Sequence, residues 1–330
     1  MSGHGLTRRE LLAAGVALGA APMAACRPRG GARVFAGRAT SYERDLTPLL
    51  LDAFAELGID RREIAGRRIL LKPNLVEARP TAPINTHPQV VRAAAEAFRR
   101  LGAAEVRVGE GPGHCRDTRR VLEASGLAAV LREDGLRFLD LNRQPGFVVP
   151  NAGGRSGLTR LTLPQPLAES DWLVSVAKMK THHWAGVTLS MKNLFGVMPG
   201  AYYGWPKNVL HYAGLGEAIL DIAATVRPQL AIIDGIVGME GDGPIMGEPR
   251  DAGVLLVGRD AVAVDASAAR VMGIDPGRVR YLAAADGWLG PIGEAAIEQV
   301  GERLADLVTP FRLVEAIPAR QGIAGAGLDY

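Results

Sequence analysis

The stretch of residues 172–200 constrains the fold more than any other part of the chain. It begins with an uninterrupted apolar run at residues 172–177, which has the length and β-branched character of a strand buried on both faces. Strongly polar residues follow, so we predict that this strand ends at Ala177. In open α/β sheets, ligands bind outside the carboxyl ends of strands. The stretch therefore predicts a binding site directly after a buried strand.

Strand-like and helix-like segments alternate along the chain. Short apolar runs typical of buried strands occur at residues 69–71, 106–108, 229–233 and 253–257. Helical spacing of apolar residues occurs at residues 44–57, 89–101, 208–226, 261–272 and 292–300. The alternation predicts an α/β fold with a mostly parallel sheet, helices on both faces and two similar α/β halves. The region 142–166, rich in Gly, Pro and Thr, lies between the halves and predicts loops with a hairpin.

Polar side chains are concentrated where these strands are expected to end. They are Lys72, Asn74, Glu110, Lys178, Lys180, His182, His183, Asp234 and Asp260, with Lys192 and Asn193 after a second apolar segment. His87 precedes Pro88 at the start of a predicted helix, whose first turn can hold an anion. Because parallel strands end at one edge of a sheet, we expect these side chains to converge.

The lysines of this set need negative charge if they are buried together. Lys72, Lys178, Lys180 and Lys192 predict a polyanionic ligand: a phosphate, a polycarboxylate or an organic acid. Asn74 and Asn193 could bridge to it. Alternatively, single lysines face solvent or pair with Asp171, Glu110 or Asp242.

The adjacent histidines allow three interpretations. His182 or His183 could join other groups to hold a divalent cation, for which the candidates are His182, His211, Asp234 and Asp242. One histidine could instead transfer protons near neutral pH while a lysine holds the substrate. A ring could also simply stack on Trp184. The residues alone leave all three open.

The first 26 residues have the sequence pattern of an export signal. Arg8 and Arg9 precede a weakly apolar Ala/Gly/Leu stretch that ends at Cys26. This resembles a twin-arginine signal, and residues 23–26 resemble a lipoprotein cleavage box. Lipidation at Cys26 and simple cleavage both remain open. The pattern implies the twin-arginine export machinery as a partner and a periplasmic or cell-surface location.

Composition excludes several classes of protein. Cys26 and Cys115 are the only cysteines, which rules out a disulfide framework and a cluster held by four cysteines. The formal charge of +3 is too small to predict a nucleic-acid partner, and membrane contact is expected only through a lipid at Cys26. The sequence contains no Walker loop, Gly-x-Ser-x-Gly elbow or HExxH motif.

Six short segments together carry a family resemblance. They are Lys72-Pro73-Asn74, Thr86-His87-Pro88, Gly109-Glu110-Gly111, Lys178-x-Lys180-x-His182, Lys192-Asn193-Leu194-Phe195-Gly196 and Gly241-Asp242-Gly243-Pro244. With them the chain resembles the DUF362 family over about residues 35–315. That family is largely uncharacterised, so the resemblance implies a fold more than a reaction. Many relatives append ferredoxin-type cysteine repeats, which this chain lacks, and we therefore expect no iron–sulfur cluster.

These observations define the expected organisation and function. We expect a signal peptide at 1–26, a linker at 27–34, an α/β domain at 35–315 and a tail at 316–330. The first functional hypothesis is an exported enzyme that acts on a small anion by proton transfer or redox chemistry, with or without a divalent metal. Its catalytic candidates are His182, His183, Lys178 and Lys180, and its substrate-binding candidates are Lys72, Asn74, His87, Lys192 and Asn193. The alternative is a periplasmic protein that binds an anion or a metal without turnover.

Overall fold

The computed structural model describes residues 31–80, 82–113 and 117–314. The expected export signal with Cys26, the neighbours His114 and Cys115, and the tail from residue 316 lie outside these ranges. Within the described ranges, no helix combines the length and apolar character that crossing a bilayer requires.

The elements alternate as the sequence predicts. The strands are β1 (Ala32–Arg38), β2 (Arg68–Pro73), β3 (Glu105–Glu110), β4 (Arg137–Asp140), β5 (Gly146–Pro150), β6 (Arg160–Pro164), β7 (Trp172–His182), β8 (Gly186–Thr188), β9 (Leu230–Glu240), β10 (Glu248–Gly258) and β11 (Ile297–Gly301). The helices are α1 (Thr47–Glu56), α2 (Arg61–Ile64), α3 (Pro88–Arg100), α4 (Thr118–Ala124), α5 (Leu127–Glu133), α6 (Gln165–Ala168), α7 (Ser190–Asn193), α8 (Gly200–Tyr203), α9 (Asn208–Tyr212), α10 (Leu215–Val226), α11 (Ala261–Val271) and α12 (Arg280–Ala285).

A nine-stranded sheet forms the centre of the fold. Its order is β11-β1-β10-β9-β7-β2-β3-β4, with β8 paired to β7. β10 and β8 run antiparallel to their neighbours, whereas β2, β3, β4, β7 and β9 pair in parallel. The predicted mostly parallel α/β sheet is confirmed. β7 pairs directly with β2, so both parts of the chain share this one sheet, and β5 and β6 form the separate hairpin.

Two apolar layers cover the two faces of the sheet. Leu70 of β2 and Leu173 of β7 pack into the layer that contains α10 and α11. The next residues along each strand, Leu71 and Val174, pack into the layer that contains α1 and α3. This alternation is the period-two geometry of strands. Helices therefore lie on both faces of the sheet.

The predicted end of the strand at Ala177 is wrong. β7 continues to His182, because its last residues pair with β8. All of its side chains are buried, including those of the lysines. β9 likewise continues past Asp234 to Glu240. Paired backbone on both sides keeps a strand regular even where its side chains are polar, provided that those side chains find partners.

Three further boundaries differ from the sequence-based prediction. β1 begins at Ala32, inside the expected 27–34 linker. The helix predicted at 208–226 is divided into α9 and α10 at Gly214, whose φ of +98° is unavailable to most residues. The helix predicted at 292–300 is wrong: a short 3-10 turn is followed there by the edge strand β11.

Candidate anion-binding site

The Lys-x-Lys-x-His segment is a strand motif. Lys178, Lys180 and His182 occupy alternate positions of β7, so they share the face that carries Val174 and Val176 deeper in the sheet. The three side chains are at most 6% exposed. They replace apolar residues at the end of a buried strand and must be stabilised by polar partners.

Lys72 is held on the opposite face of the sheet. Its ammonium forms a short ion pair with the Glu110 carboxylate and donates to Asn193 Oδ1 at 2.7 Å and to the Pro73 carbonyl at 2.8 Å. A side chain at Gly196 would collide with both members of this pair. That close approach explains the glycine at the end of the Lys192-Asn193-Leu194-Phe195-Gly196 segment. Burial lowers the pKa of Lys72, and Glu110 opposes this effect.

A second buried ion pair joins Lys178 to Asp234. The Lys178 ammonium lies 2.9 Å from Asp234 Oδ2 and donates to the Tyr42 hydroxyl at 2.8 Å, while this hydroxyl donates to Asp234 Oδ1 at 2.8 Å. The backbone N–H of His87 also donates to Asp234. The His87 ring stacks on Tyr42 with centroids 3.6 Å apart. Its Nδ1 accepts from Gln89 N, so His87 is the N-cap of α3.

Lys180 lies between the two ion pairs. Its ammonium donates to Asn74 Oδ1 at 2.7 Å and to the Ile84 carbonyl at 2.8 Å. In the part of the chain that the structure describes, no carboxylate forms an ion pair with Lys180. Burial and the neighbouring cations Lys192, Lys178 and Lys72 hold its pKa well below the usual range. Protonation of Lys180 is therefore disfavoured, since Glu110 and Asp234 are paired with Lys72 and Lys178.

Helix α7 presents Lys192 and Asn193 to this edge. The buried carboxylate of Asp265 accepts from the backbone N–H groups of Ser190 at 2.7 Å and Met191 at 2.9 Å, which fixes the first turn of α7. Asn193 turns inward to Lys72 and Ser175. Burial raises the pKa of Asp265 to about 8.

Lys192 differs from the lysines on β2 and β7. Its side chain is partly exposed, and its ammonium lies 4.3 Å from the centroid of the Phe195 ring. Across the described ranges it has no hydrogen-bond acceptor and no carboxylate partner. Burial of its ammonium and then the charge of Lys72 lower its pKa to about 8. Lys192 is thus a cation that remains available to a ligand.

Aromatic and imidazole rings form an arc that leads to Lys192. Neighbouring centroids are separated by 5.0 Å for His182 and His183, 4.7 Å for His183 and Trp184, 6.4 Å for Trp184 and His211, and 5.8 Å for His211 and Phe195. His182 Nδ1 accepts from the backbone N–H groups of Trp184 and Ala185, which assigns its proton to Nε2 in the neutral ring. Burial and then Lys192 hold the pKa of His182 well below its usual range, and burial also lowers that of His211.

The four metal-ligand candidates are not brought together. Asp234 is occupied by Lys178 and Tyr42, and Asp242 lies 3.3 Å from Nδ1 of His183. His211 Nδ1 contacts the Lys207 carbonyl at 3.1 Å. Within residues 31–80, 82–113 and 117–314, no three His, Cys, Asp or Glu side chains form a group that could hold a metal ion.

Sequence reasoning missed Lys207 and Tyr42. Lys207 is buried, and its ammonium donates to the carbonyls of Gly111 and Phe195 at 2.8 Å and of Met198 at 2.5 Å. The composition could have indicated Lys207, because only five of the chain's 38 lysines and arginines are lysines. All five, which we call the lysine cluster, lie around this edge: Lys72, Lys178, Lys180, Lys192 and Lys207.

Two surface clefts flank the site on the side of β9. One of about 290 Å³ is lined by Tyr42, His87 and Lys178, and one of about 360 Å³ is lined by His183 and Asp242. Arg79 lines both clefts. Lys192 lines neither of them and approaches the surface beside Phe195 and His211.

Comparison with known proteins identifies the family. The family described as "Domain of unknown function (DUF362)" matches residues 69–270, which include each member of the lysine cluster. The chain belongs to the DUF362 family. A thylakoid-associated protein of Synechocystis sp. is 31% identical over 230 residues, which cover 66% of this chain and 67% of that protein. No solved structure matches the chain.

Proposed function

We propose that this DUF362 protein binds a small organic anion at Lys192 and acts on it by proton transfer. One observation carries the proposal: Lys192 is partly exposed and unpaired among the described residues, while the neighbouring Lys72 and Lys178 are paired with carboxylates. A carboxylate or phosphate on the ligand would supply the missing negative charge. The resulting charge-assisted contact would form beside the Phe195 ring, which lies 4.3 Å from the Lys192 ammonium.

The imidazoles beside this lysine supply the proton-transfer groups. His182 is buried, neutral and carries its proton on Nε2, so this atom can donate to a ligand oxygen. His211 approaches Phe195 from the other side and is half-buried. Each has a lowered pKa, which keeps the ring neutral at pH 7 and able to exchange a proton.

The proposal is tested by titrating the purified protein calorimetrically with oxalate, citrate and inorganic phosphate at constant ionic strength. At least one of these should bind, and Lys192→Ala should weaken its binding about 10- to 100-fold, since a hydrogen bond to a charged group is worth about 1.5–3 kcal/mol. Arg119→Ala is the matched control, because Arg119 is an exposed cation far along the chain from the site. Equal affinities for wild type and Lys192→Ala would refute the assignment.

The alternative is anion binding without turnover. Both hypotheses predict the same effect of Lys192→Ala on affinity, but only the enzyme should exchange or transfer a substrate proton. Deuterium incorporation from D₂O into a bound carbon acid, followed by NMR, separates them. His182→Gln should abolish incorporation while leaving the affinity within about threefold, since the variant removes a proton-transfer group and not the cation.

We further propose that the protein is exported by the twin-arginine route. The support is the sequence pattern of residues 1–26, in which Arg8 and Arg9 precede an Ala/Gly/Leu stretch. Replacing both arginines by lysine should retain the protein in the cytoplasm, as measured by cell fractionation. Labelling with radioactive palmitate, with Cys26→Ala as control, distinguishes lipidation from simple cleavage.

A further inference from the structure

Four members of the lysine cluster have their amines engaged. Lys72 and Lys178 pair with carboxylates, Lys180 donates to an amide oxygen and a carbonyl, and Lys207 donates to three carbonyls. The nitrogen of each of the four is occupied by hydrogen bonds, and each of the four side chains is buried. Lys192 alone in the cluster is partly exposed and has its nitrogen directed only at the face of the Phe195 ring.

The presence of lysine and not arginine at position 192 favours a chemical role over simple anion binding. The chain places arginine at almost all of its cationic positions, and arginine would serve as well or better as a clamp for an anion. Arginine cannot lose its proton in a protein, whereas a lysine in a cationic, partly desolvated environment can. The neutral amine is a nucleophile for carbonyl carbon. An unpaired lysine beside neutral imidazoles is therefore suited to chemistry that arginine cannot perform.

We propose that Lys192 forms a covalent imine with the carbonyl carbon of a small oxo acid. This inference rests on the proposed anion site, because the acid group must be held there while the carbonyl faces the amine. The Lys192 nitrogen pair forms the C–N bond as the C=O π pair moves onto oxygen. The two amine protons then pass in turn to this oxygen, which leaves as water as the C=N bond forms.

The neighbouring groups suit each part of this step. The half-buried His211 can carry protons from nitrogen to oxygen, and Nε2–H of His182 can donate a hydrogen bond to the oxygen that leaves. Burial and then the charge of Lys72 lower the pKa of Lys192 to about 8, which favours its neutral amine. The titratable groups that interact electrostatically with Lys192 are Lys72, Lys180, Lys207, His182 and His211.

The test is reductive trapping with glyoxylate and pyruvate. Each is incubated with the full-length protein and sodium cyanoborohydride at about pH 7.5, and adducts are located by intact-mass and peptide mass spectrometry. Background is low, because the competing amines are the α-amino group and the four buried lysines of the cluster. Arg119→Lys supplies the matched control, since this side chain is 87% exposed and reports the reactivity of an ordinary surface amine.

We expect one adduct at Lys192, formed more than about tenfold faster than at the lysine introduced by Arg119→Lys, because a lower pKa leaves more neutral amine at this pH. Oxalate, which resembles glyoxylate and pyruvate but forms no imine, should compete with them for the site and slow adduct formation. Lys192→Arg should abolish the adduct and still bind oxalate.

The outcomes separate the two proposals. Oxalate binding without an adduct at Lys192, or with an adduct only at another amine, overturns the imine and leaves the anion site standing. Absence of binding of oxalate, glyoxylate and pyruvate, together with absence of an adduct, removes the site for these acids and the imine with it.

Discussion

Breaking the buried pair between Lys72 and Glu110 should destabilise the fold by about 3 kcal/mol or more. The two side chains are 0% and 1% exposed, so Glu110→Gln leaves an ammonium in the interior without its anion. Removing one partner of such a pair costs about 3–5 kcal/mol, because the remaining charge is desolvated and uncompensated. Asn193 Oδ1 and the Pro73 carbonyl still accept from Lys72, which places the expected loss near the lower limit.

The backbone contacts of Glu110 add to this loss. Its carboxylate also accepts from the N–H groups of Gly111 at 2.8 Å and Leu75 at 3.3 Å, and the amide of glutamine keeps only one oxygen. Urea denaturation followed by circular dichroism measures the free energy of unfolding. Glu123→Gln is the control, because its i,i+4 pair with Arg119 is exposed and should be worth less than about 0.5 kcal/mol.

A double-mutant cycle identifies the source of the effect. Lys72→Met combined with Glu110→Gln should lose less stability than the sum of the single changes, by about 1–3 kcal/mol, because the double variant buries no charge. A loss of less than about 1 kcal/mol for Glu110→Gln, or additive single changes, would show that Lys72 is not held as a buried cation.

Three further predictions concern other members of the site. Oxalate affinity should fall as pH rises through about 8, where Lys192 loses its proton, while the rate of reductive trapping should rise over the same interval. The pKa of Asp265 is raised from 3.8 to about 8, so the stability that this group provides is fully present below pH 3.8 and is lost as the pH rises towards 8. The free energy of unfolding of Asp265→Asn should lack this pH dependence, which is at most about 1.4 kcal/mol per pH unit. Lys207→Arg should lower the melting temperature clearly more than Arg119→Lys, because a planar guanidinium cannot replace an ammonium among three carbonyls.

Local patterns were sufficient to predict the class of fold. The buried run at residues 229–233 and the helix start at Pro88 are decided by neighbours in sequence, and the structure confirms both. The edge strand β11 was predicted as a helix, because its half-exposed residues provide no clear period-two pattern and its pairing with β1 is distant in sequence.

The interior position of the lysines could not be predicted locally. Lys-x-Lys-x-His has the period of a strand, but a strand can bury lysines only if partners are available. The partners of Lys72, Lys178 and Lys180 are 38, 56 and 106 residues away in the chain. Only the fold brings these groups together, and for this reason the sequence led us to end the strand at Ala177.

The distribution of charge supports the proposed anionic ligand at this edge. Two lysines of the cluster are balanced by Glu110 and Asp234, and Lys207 is surrounded by carbonyls. Lys180 and Lys192 have no carboxylate of the described chain in an ion pair, and each lowers the pKa of groups around it. Since a bound anion would relieve the repulsion at both lysines at once, the free energy of ligand binding and that of folding are coupled here. An anionic ligand that contacts only Lys192 would still interact electrostatically with the buried Lys180. We therefore expect it to bind more tightly than a neutral analogue of the same shape.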